Sequence, residues 1–570
     1  MVIVFQGVTI SLVPIIAFLR PQLGYKLSRA AWRRVGRLAR RQALSVVLVG
    51  LLALGVNAGV SLLVHMPEPR DEDEFSYLLA ADTFAHGRLT NPTHPMWVHF
   101  ESFHIIHQPT YQSKYPPAQG LMLAVGQVVG SHPIAGVWIS IGLMTAAICW
   151  MLQGWLPPRW ALLGGLIVSL HPGILLKWGD GYWGGAVAAM GGALVFGALR
   201  RIVLRPCIRD ALLMGLGLAI LANSRPYEGL IASLPVFVAL VVWLIGKNGP
   251  AFRVSLTRIV LPIFVMLIAT AVWIGYYNFR VAGDPLRLPY LVHHATYQMW
   301  PLFLWQNSEP EPTYRHKVLR DFYVDYMRGV YMGARSVPSF VRESVSRIER
   351  LWKFYLGLLL TLPLVTLPWV LRNRWMVFAL LTCGLLVAAL QLHTYLNMYH
   401  QAPITALVFA LVLQAMRHLN VWQWRGRPTG RFIVRLILLI FVASLVLSLA
   451  QKIPLKPEHA WSQQRASMLA RLKKDEGRHL VIVRYGQKFS RFSPSKEEEW
   501  VYNDADIDSA KVVWAREMDA AQNRKLLEYF RDRQAWLLEV HQDDSPRKLL
   551  PYPAGLARDS GIASEKREAK

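Results

Sequence analysis

The chain has 570 residues, of which 53% are hydrophobic and only 17% are charged. Apolar stretches of about 17 to 22 residues recur along it, which is the length that crosses a bilayer, so the composition excludes an ordinary soluble globular protein. The formal charge of +26 does not indicate a nucleic-acid partner, because much of the excess Lys and Arg lies in short segments between apolar stretches, where the positive-inside rule places it.

Residues 1–43 comprise an apolar opening segment and then a basic segment, which is predicted to be cytoplasmic. The opening segment, residues 1–19, lacks a charged n-region and a convincing cleavage site, which disfavours a removed signal peptide. A twelfth span, an interfacial segment and extra residues from an upstream start all remain open for it.

Residues 44–450 are predicted to form an all-α polytopic membrane domain of about 11 transmembrane helices. Placing every basic loop in the cytoplasm leaves two large outer loops, residues 66–132 and 278–349. The short apolar segment 117–130 is assigned to a helix lying against the membrane, because counting it as a span would place the next basic loops outside the cytoplasm. The spans lie near residues 44–65, 133–154, 160–176, 183–199, 210–223, 229–246, 258–277, 354–371, 375–392, 402–416 and 432–450.

The first outer loop opens with four consecutive acids, residues 71–74. Hydrocarbon disfavours charge, so carboxylates beside a membrane domain commonly pair, bind a metal or act as acids and bases. A solvated anionic loop is the alternative. A short amphipathic helix along the membrane is predicted next, with an apolar face formed by Phe75, Leu78 and Leu79.

The rest of this loop is rich in His, and it ends in Lys114-Tyr115-Pro116-Pro117. This density of His and acids suits a divalent metal, but the spacing follows no recognised ligand pattern, so surface or stacking roles are the alternative. The histidines are His86, His94, His99, His104 and His107.

Three later outer loops carry further candidates. Asp180 and Trp183 lie among glycines, which suits stacking on a sugar face, with an ordinary turn and a membrane-interface Trp as the alternative. Arg225 precedes Pro226 between two spans and is placed to bind a lipid phosphate; an ion pair with Glu228 that closes the loop is the alternative. Two histidines of the last loop are candidates for lining one cavity together with the residues of the other outer loops, namely His393 and His400.

Residues 451–570 are predicted to form a small extracytoplasmic α/β domain. Strand-like segments 479–485, 500–503, 511–515 and 534–540 alternate with helical ones. The Asn- and Asp-rich stretch 503–508 is interpreted as a turn. All three Cys residues of the chain map to spans or to the cytoplasmic side, so no structural disulfide is expected.

The segment Asp73-Glu74-Phe75-Ser76-Tyr77-Leu78 resembles the Asp-Glu-x-x-Tyr signature of GT-C membrane glycosyltransferases, the superfamily of protein O-mannosyltransferases, lipid A aminoarabinose transferases and bacterial core-sugar transferases. Lys114-Tyr115-Pro116-Pro117 is similar to the Lys/His-Pro-Pro end of their first loop, with Tyr115 inserted. Asp180 falls where the family places a second acid. The resemblance covers residues 44 to about 280 and does not extend to the tail.

The resemblance implies an enzyme that moves a monosaccharide from a polyprenyl-phosphate donor to an acceptor hydroxyl of a glycan, lipid or protein, with inversion, at the outer face of a bacterial inner membrane. Asp73 is the candidate base, with Asp180 as its rival and Glu74 as a further catalytic acid. A divalent metal ion is an additional candidate, and no organic cofactor is expected. The substrate-binding candidates are Lys114, Arg225, Glu228, Tyr77, Trp183, His393 and His400.

A polytopic lipid or sugar transporter or flippase, and a non-catalytic membrane-anchored glycan-binding protein, are the alternative functions. Transporters usually carry ionisable groups within their spans, near the middle of the membrane. In this sequence the spans are nearly free of charge, and the polar candidates cluster at one face. This distribution favours an enzyme at the outer surface.

Overall fold

The computed structural model describes residues 35–247, 249–452, 461–486, 498–541 and 547–553. The predictions for the opening segment 1–19 and for most of the basic segment after it lie outside the described residues. The remainder is a mostly helical membrane domain followed by a small domain that contains a β-sheet.

The membrane domain is built from long apolar helices and shorter helices between them. Several begin with Pro in the first turn, where its missing N–H has no intrahelical acceptor to lose. The helices are α1 (Gln42–Leu63), α2 (Glu72–Ala85), α3 (Pro117–Gly130), α4 (Ile134–Trp155), α5 (Pro158–Ser169), α6 (Gly185–Leu204), α7 (Ile208–Ser224), α8 (Pro226–Ile245), α9 (Phe252–Ala282), α10 (Pro289–Tyr297), α11 (Val337–Tyr355), α12 (Gly357–Val370), α13 (Arg374–Gln391), α14 (Ala402–Val421) and α15 (Thr429–Lys452).

A helix forms at every predicted span, but the count of eleven is not confirmed. Within the described ranges, nine helices are long and apolar enough to cross a membrane, or up to ten if α11 and α12 form one bent span. The predicted span 210–223 forms as α7, which has only 17 residues. The protein is a multi-pass membrane protein.

Helix α11 is the main departure from the predicted loop 278–349. It turns by 91° into α12 at Gly357, whose φ of 53° lies in the left-handed region that glycine adopts readily. One face of α11 exposes Val337, Val341, Val345 and Ile348. A charged helix with such an apolar face suits the plane of the membrane interface.

The first outer loop contains a three-stranded sheet of order β1–β3–β2. Its strands are β1 (Asn91–Pro92), β2 (Ile105–Ile106) and β3 (Thr110–Ser113), and both pairings are antiparallel. Strand β3 brings the end of the loop back beside α2. Helix α3 occupies the apolar segment 117–130, as predicted, and exposes Val125, Val128 and Val129.

The C-terminal domain is a small α/β domain, as predicted. Strand β4 is parallel to β5 and β6, and β7 adds antiparallel to β6. The predicted strand 500–503 is wrong, because this segment is irregular, although Trp500 is fully buried. The elements are α16 (Trp461–Lys474), β4 (Arg478–Tyr485), β5 (Val512–Arg516), α17 (Ala520–Tyr529), β6 (Arg533–Val540) and β7 (Leu549–Pro551).

The first outer loop and the C-terminal domain share one hydrophobic core. Phe75 stacks on Tyr502 with ring centroids 4.0 Å apart, and Leu79 packs in the same cluster as Leu480 and Ile482. Phe75 and Leu79 of the predicted apolar face therefore meet the C-terminal domain and do not lie along the membrane, which corrects the prediction, whereas Leu78 packs against the core of the membrane domain. Because they share a core, the loop and the domain lie on the same side of the membrane.

Candidate active site

A cavity of about 1390 Å³ opens where the outer loops meet. Its wall comes from the start of α2, the end of the first loop, the α7–α8 turn, α10, the segment between α13 and α14, and the start of α16. Seven of the predicted site residues lie in this wall, namely Asp73, Lys114, Trp183, Arg225, Glu228, His393 and His400. The structure thus brings together side chains that are far apart in the sequence.

Asp73 lies in the first turn of α2, which begins with a capping box formed by Asp71 and Glu74. The Asp73 side chain is 19% exposed, and its Oδ1 lies 3.9 Å from His104 Nε2. Burial raises the pKa of Asp73 above its usual range, and the nearby Lys114 cation opposes this rise. A carboxylate held in this way is suited to accepting a proton near neutral pH.

Lys114 follows β3 and is almost fully buried. Its Nζ lies 2.8 Å from His104 Nδ1. The same atom lies 5.0 Å from the ring centroid of Tyr115 and 5.2 Å from that of Tyr290. Burial lowers the pKa of Lys114. His104 is a site residue that the sequence analysis placed only among the loop histidines, because nothing in its spacing indicates that its ring lies between Asp73 and Lys114.

Arg225 is the single residue between α7 and α8. Its Nη2 is buried and has no hydrogen-bond partner among the described residues. A buried guanidinium donor without a partner is costly, so this group is poised for an anionic ligand. Glu228, one turn along α8, lies with its Oε1 3.7 Å from His400 Nε2.

The segment between α13 and α14 is held in place from outside the cavity. Arg347 of α11 is buried and donates to the carbonyl oxygens of His393 and Thr394 at 2.9 and 3.1 Å. The His393 and His400 rings lie 5.3 Å apart. Burial lowers the pKa of His393 to about 4, so its imidazole is neutral at physiological pH.

No protein-family model and no curated protein matches the sequence. Among solved structures, ArnT from Cupriavidus metallidurans in the apo state is similar with a TM-score of 0.51 at 13% identity, over 90% of this chain and 98% of that chain. ArnT bound to undecaprenyl phosphate gives the same values. The oligosaccharyltransferase of Archaeoglobus fulgidus aligns with a TM-score of 0.42 at 11% identity, over 87% of this chain and 67% of that chain.

The chain has the GT-C fold. The similarity to ArnT confirms, at the level of the fold, the resemblance that the acidic segment of the first loop predicted. The structural similarity spans 90% of the chain. It therefore extends into the C-terminal domain, where the sequence motifs show no resemblance.

Within the GT-C fold, Glu74 lies behind the cavity. Its Oε2 accepts from the backbone N–H of Arg70 at 2.6 Å, and its Oε1 accepts from the backbone N–H of Tyr182 at 2.8 Å. Burial raises the pKa of Glu74 to about 7. This side chain therefore ties the first outer loop to the loop that carries Asp180.

Asp180, the rival acid, pairs with Arg70, which lines the cavity. Its Oδ2 accepts from Arg70 Nη2 at 3.1 Å. Among the residues described, it is not part of the wall of the large cavity, whereas Asp73 is. The geometry therefore favours Asp73 as the acid beside a substrate bound in this cavity.

Aromatic side chains complete the wall of the cavity. Trp183 stacks on Tyr399 with centroids 4.5 Å apart, and its Nε1 donates to Asp71 Oδ2 at 3.3 Å. Tyr77 is buried and stacks on Tyr115, which lines the cavity. Tyr77 thus supports the wall from behind, and Trp183 presents its remaining surface to the cavity.

The side chains do not fit a bound metal ion. In the described part of the chain, no three His, Cys, Asp or Glu side chains are grouped to hold one. The potential ligands are spread between separate contacts, with Asp73 near His104 and Glu228 near His400.

Proposed function

We propose that this protein is a membrane glycosyltransferase that moves a monosaccharide from a polyprenyl-phosphate donor to an acceptor hydroxyl. The observation that carries the proposal is the convergence of the Asp73 carboxylate with the Lys114 and Arg225 cations on a single cavity. Transfer from a lipid phosphate needs a base for the acceptor and positive charge for the departing phosphate. The first outer loop supplies Asp73 and Lys114, and the α7–α8 turn supplies Arg225.

In the proposed reaction Asp73 accepts the proton of the acceptor hydroxyl as its oxygen attacks the anomeric carbon. The bond from this carbon to the phosphate oxygen breaks on the opposite face, and the electron pair leaves with the lipid phosphate. Lys114 and Arg225 stabilise the resulting negative charge through charge-assisted hydrogen bonds. One base and one displacement give inversion at the anomeric carbon.

The apolar side of the cavity is an argument for a donor with a lipid chain. Ile274 of α9, with Leu288 and Leu291 at α10, lines the wall together with the charged groups. ArnT, which shares the fold, has been crystallised with undecaprenyl phosphate. An isoprenoid chain would lie along this apolar side, with its phosphate at Lys114 and Arg225.

The test is purification from membranes, mass spectrometry of the copurified lipid and an assay of sugar transfer from a radiolabelled polyprenyl-phosphate sugar. The proposal requires both a bound polyprenyl phosphate and release of the free lipid phosphate on transfer. Lipid binding or transbilayer movement of the lipid without any transfer would support the flippase instead. Glycan binding without lipid would support the binding protein.

We also propose that the cavity faces the periplasm of a bacterium. Cysteines introduced at His86 and Ser509, both exposed, are expected to react with a membrane-impermeant thiol reagent in intact cells. A cysteine at the exposed Lys247, predicted to be cytoplasmic, is expected to react only after lysis. The native Cys207 is replaced by Ser beforehand, because it is partly exposed. The reverse pattern would invert the topology.

The Asp180→Asn variant is expected to keep its turnover within about fivefold of the wild type. Asn still accepts the hydrogen bond from Arg70, whose side chain is 49% exposed, and ion pairs of this kind contribute about 1 kcal/mol or less. Initial rates of sugar transfer in membranes measure the effect. A loss comparable to that of Asp73→Asn would restore Asp180 as the base.

A further inference from the structure

His104 joins the two kinds of charged group on which the proposed function rests. Its Nδ1 lies 2.8 Å from Lys114 Nζ, and its Nε2 lies 3.9 Å from Asp73 Oδ1. The ring is only 8% exposed. A single imidazole therefore lies between the candidate base and a candidate phosphate ligand.

The contact with Lys114 determines which ring nitrogen carries the proton. A Lys ammonium has three donors and no acceptor, so the Nδ1 that it contacts must be the unprotonated nitrogen. In the neutral ring the proton then lies on Nε2, the nitrogen that faces Asp73. His104 accepts from the cation on one side and presents an N–H to the carboxylate on the other.

The backbone of His104 is held in an unusual conformation. Its φ is 63°, in the left-handed region that non-glycine residues seldom adopt. Ser76 Oγ and the backbone N–H of Lys114 donate to its carbonyl oxygen at 2.6 and 3.2 Å, and its own N–H donates to Tyr323 Oη at 3.3 Å. Three separate segments thus fix the conformation that turns the ring toward both partners.

We propose that His104 is a positioning residue that holds the Lys114 ammonium and the Asp73 carboxylate in a fixed arrangement relative to each other. The imidazole holds these two groups and is not the base of the proposed reaction. Its Nε2 faces one carboxylate oxygen at 3.9 Å, and its Nδ1 accepts one ammonium hydrogen, which leaves the other two for the phosphate. This inference rests on the proposed function, because it assumes that Asp73 is the base and that Lys114 binds phosphate.

Other charged and titratable groups surround this pair and enter any pH dependence. They come from α2, the end of the first loop, the α7–α8 turn, α10 and the helical segment Asp321–Tyr326. These groups are Asp71, Glu72, Lys114, Arg225, Tyr290, His293 and Tyr323. The test therefore compares variants that differ only at position 104.

Two substitutions separate the two contacts of the ring. His104→Asn keeps an acceptor near the Nδ1 position but loses the donor toward Asp73, and Asn tolerates the left-handed backbone. His104→Gln places its amide N–H₂ near the Nε2 position but loses the acceptor for Lys114. His94→Asn is the control, because His94 lies in the same loop but pairs with Asp508 of the C-terminal domain.

His104→Asn is expected to lower kcat about tenfold or more with a nearly unchanged KM for the donor, as when a partner that orients a catalytic group is removed. It should also shift the acidic limb of the pH–rate profile upward, because the Asp73 carboxylate loses the N–H that faces it at 3.9 Å and favours its charged form. His104→Gln is expected to raise mainly the donor KM. His94→Asn should change neither constant.

Wild-type kcat, KM and pH profile in both His104 variants would overturn the inference. A loss of activity that follows a loss of thermal stability, with an unshifted pH profile, would also overturn it and make His104 structural. The proposed function is tested separately: if Asp73→Asn retains full activity, that function loses its base whatever the His104 variants do.

Discussion

Turnover of the Asp73→Asn variant is expected to fall by ~10²-fold or more, while binding of the lipid donor survives. Asn keeps the shape and much of the hydrogen bonding of Asp but cannot accept the proton of the acceptor hydroxyl. Because Asp73 Oδ1 lies 3.9 Å from His104 Nε2, beyond hydrogen-bond distance, the substitution should leave the fold intact. Initial rates of transfer from a radiolabelled polyprenyl-phosphate sugar measure the effect, and thermal melting controls for folding.

Asp71→Asn is the matched control, two residues away in the same acidic segment. Asp71 is the N-cap of α2, and Asn is an equally good N-cap, so the helix should begin as before. We expect a small change in turnover. Equal losses in the two variants would make the acidic segment a generic anionic patch and would return the role of base to Asp180.

The same carboxylate predicts the acidic limb of the pH dependence. Burial raises the pKa of Asp73, and only the ionised form accepts a proton, so activity is present above this pKa and lost as the pH falls through it. Lys114→Ala removes the cation that opposes the rise, so it should move this limb to higher pH. A limb near pH 4 in the wild type would contradict the assignment.

Arg225→Ala and Lys114→Ala are each expected to weaken binding of a polyprenyl phosphate by about 1.5 to 3 kcal/mol, the value of a charge-assisted hydrogen bond. Arg225→Lys should rescue binding only in part, because Lys lacks the paired donors of the guanidinium. The effect is measured by titrating the purified protein with undecaprenyl phosphate and following the rise in melting temperature.

Arg287→Ala provides the control for a general loss of positive charge, because Arg287 is an exposed cation in the segment just before α10. Its loss should leave affinity for the lipid nearly unchanged. Unaltered affinity in both the Arg225 and the Lys114 alanine variants would remove these residues from the site. A uniform fall in all three variants would point to surface electrostatics.

Much of the site could be predicted because the distribution of Lys and Arg among the loops indicates, without any structure, which loops share one side of the membrane. The positive-inside rule placed Asp73, Lys114, Arg225 and His400 at one face, and the structure brings their side chains to one cavity. The position of His104 between Asp73 and Lys114 could not be predicted, because it depends on a left-handed backbone conformation that the sequence does not reveal.

Other errors have similar causes. The apolar face of α2 was assigned to the membrane because periodicity shows that a face is buried but does not show against what. The segment around Trp500 has the composition of a strand, yet it lies in the core without pairing. The break between α11 and α12 depends on Gly357, one glycine among 40 in the chain.

The core shared by α2 and the β4 strand has a consequence for biogenesis. The first outer loop is synthesised long before Leu480. Phe75 and Leu79 therefore lack their packing partners in the C-terminal domain while the intervening helices insert. The wall of the cavity, which includes Trp461, is completed only when the end of the chain has been synthesised. A protein cut short after α15 would insert fully into the bilayer and still emerge with an unfinished, protease-sensitive first loop.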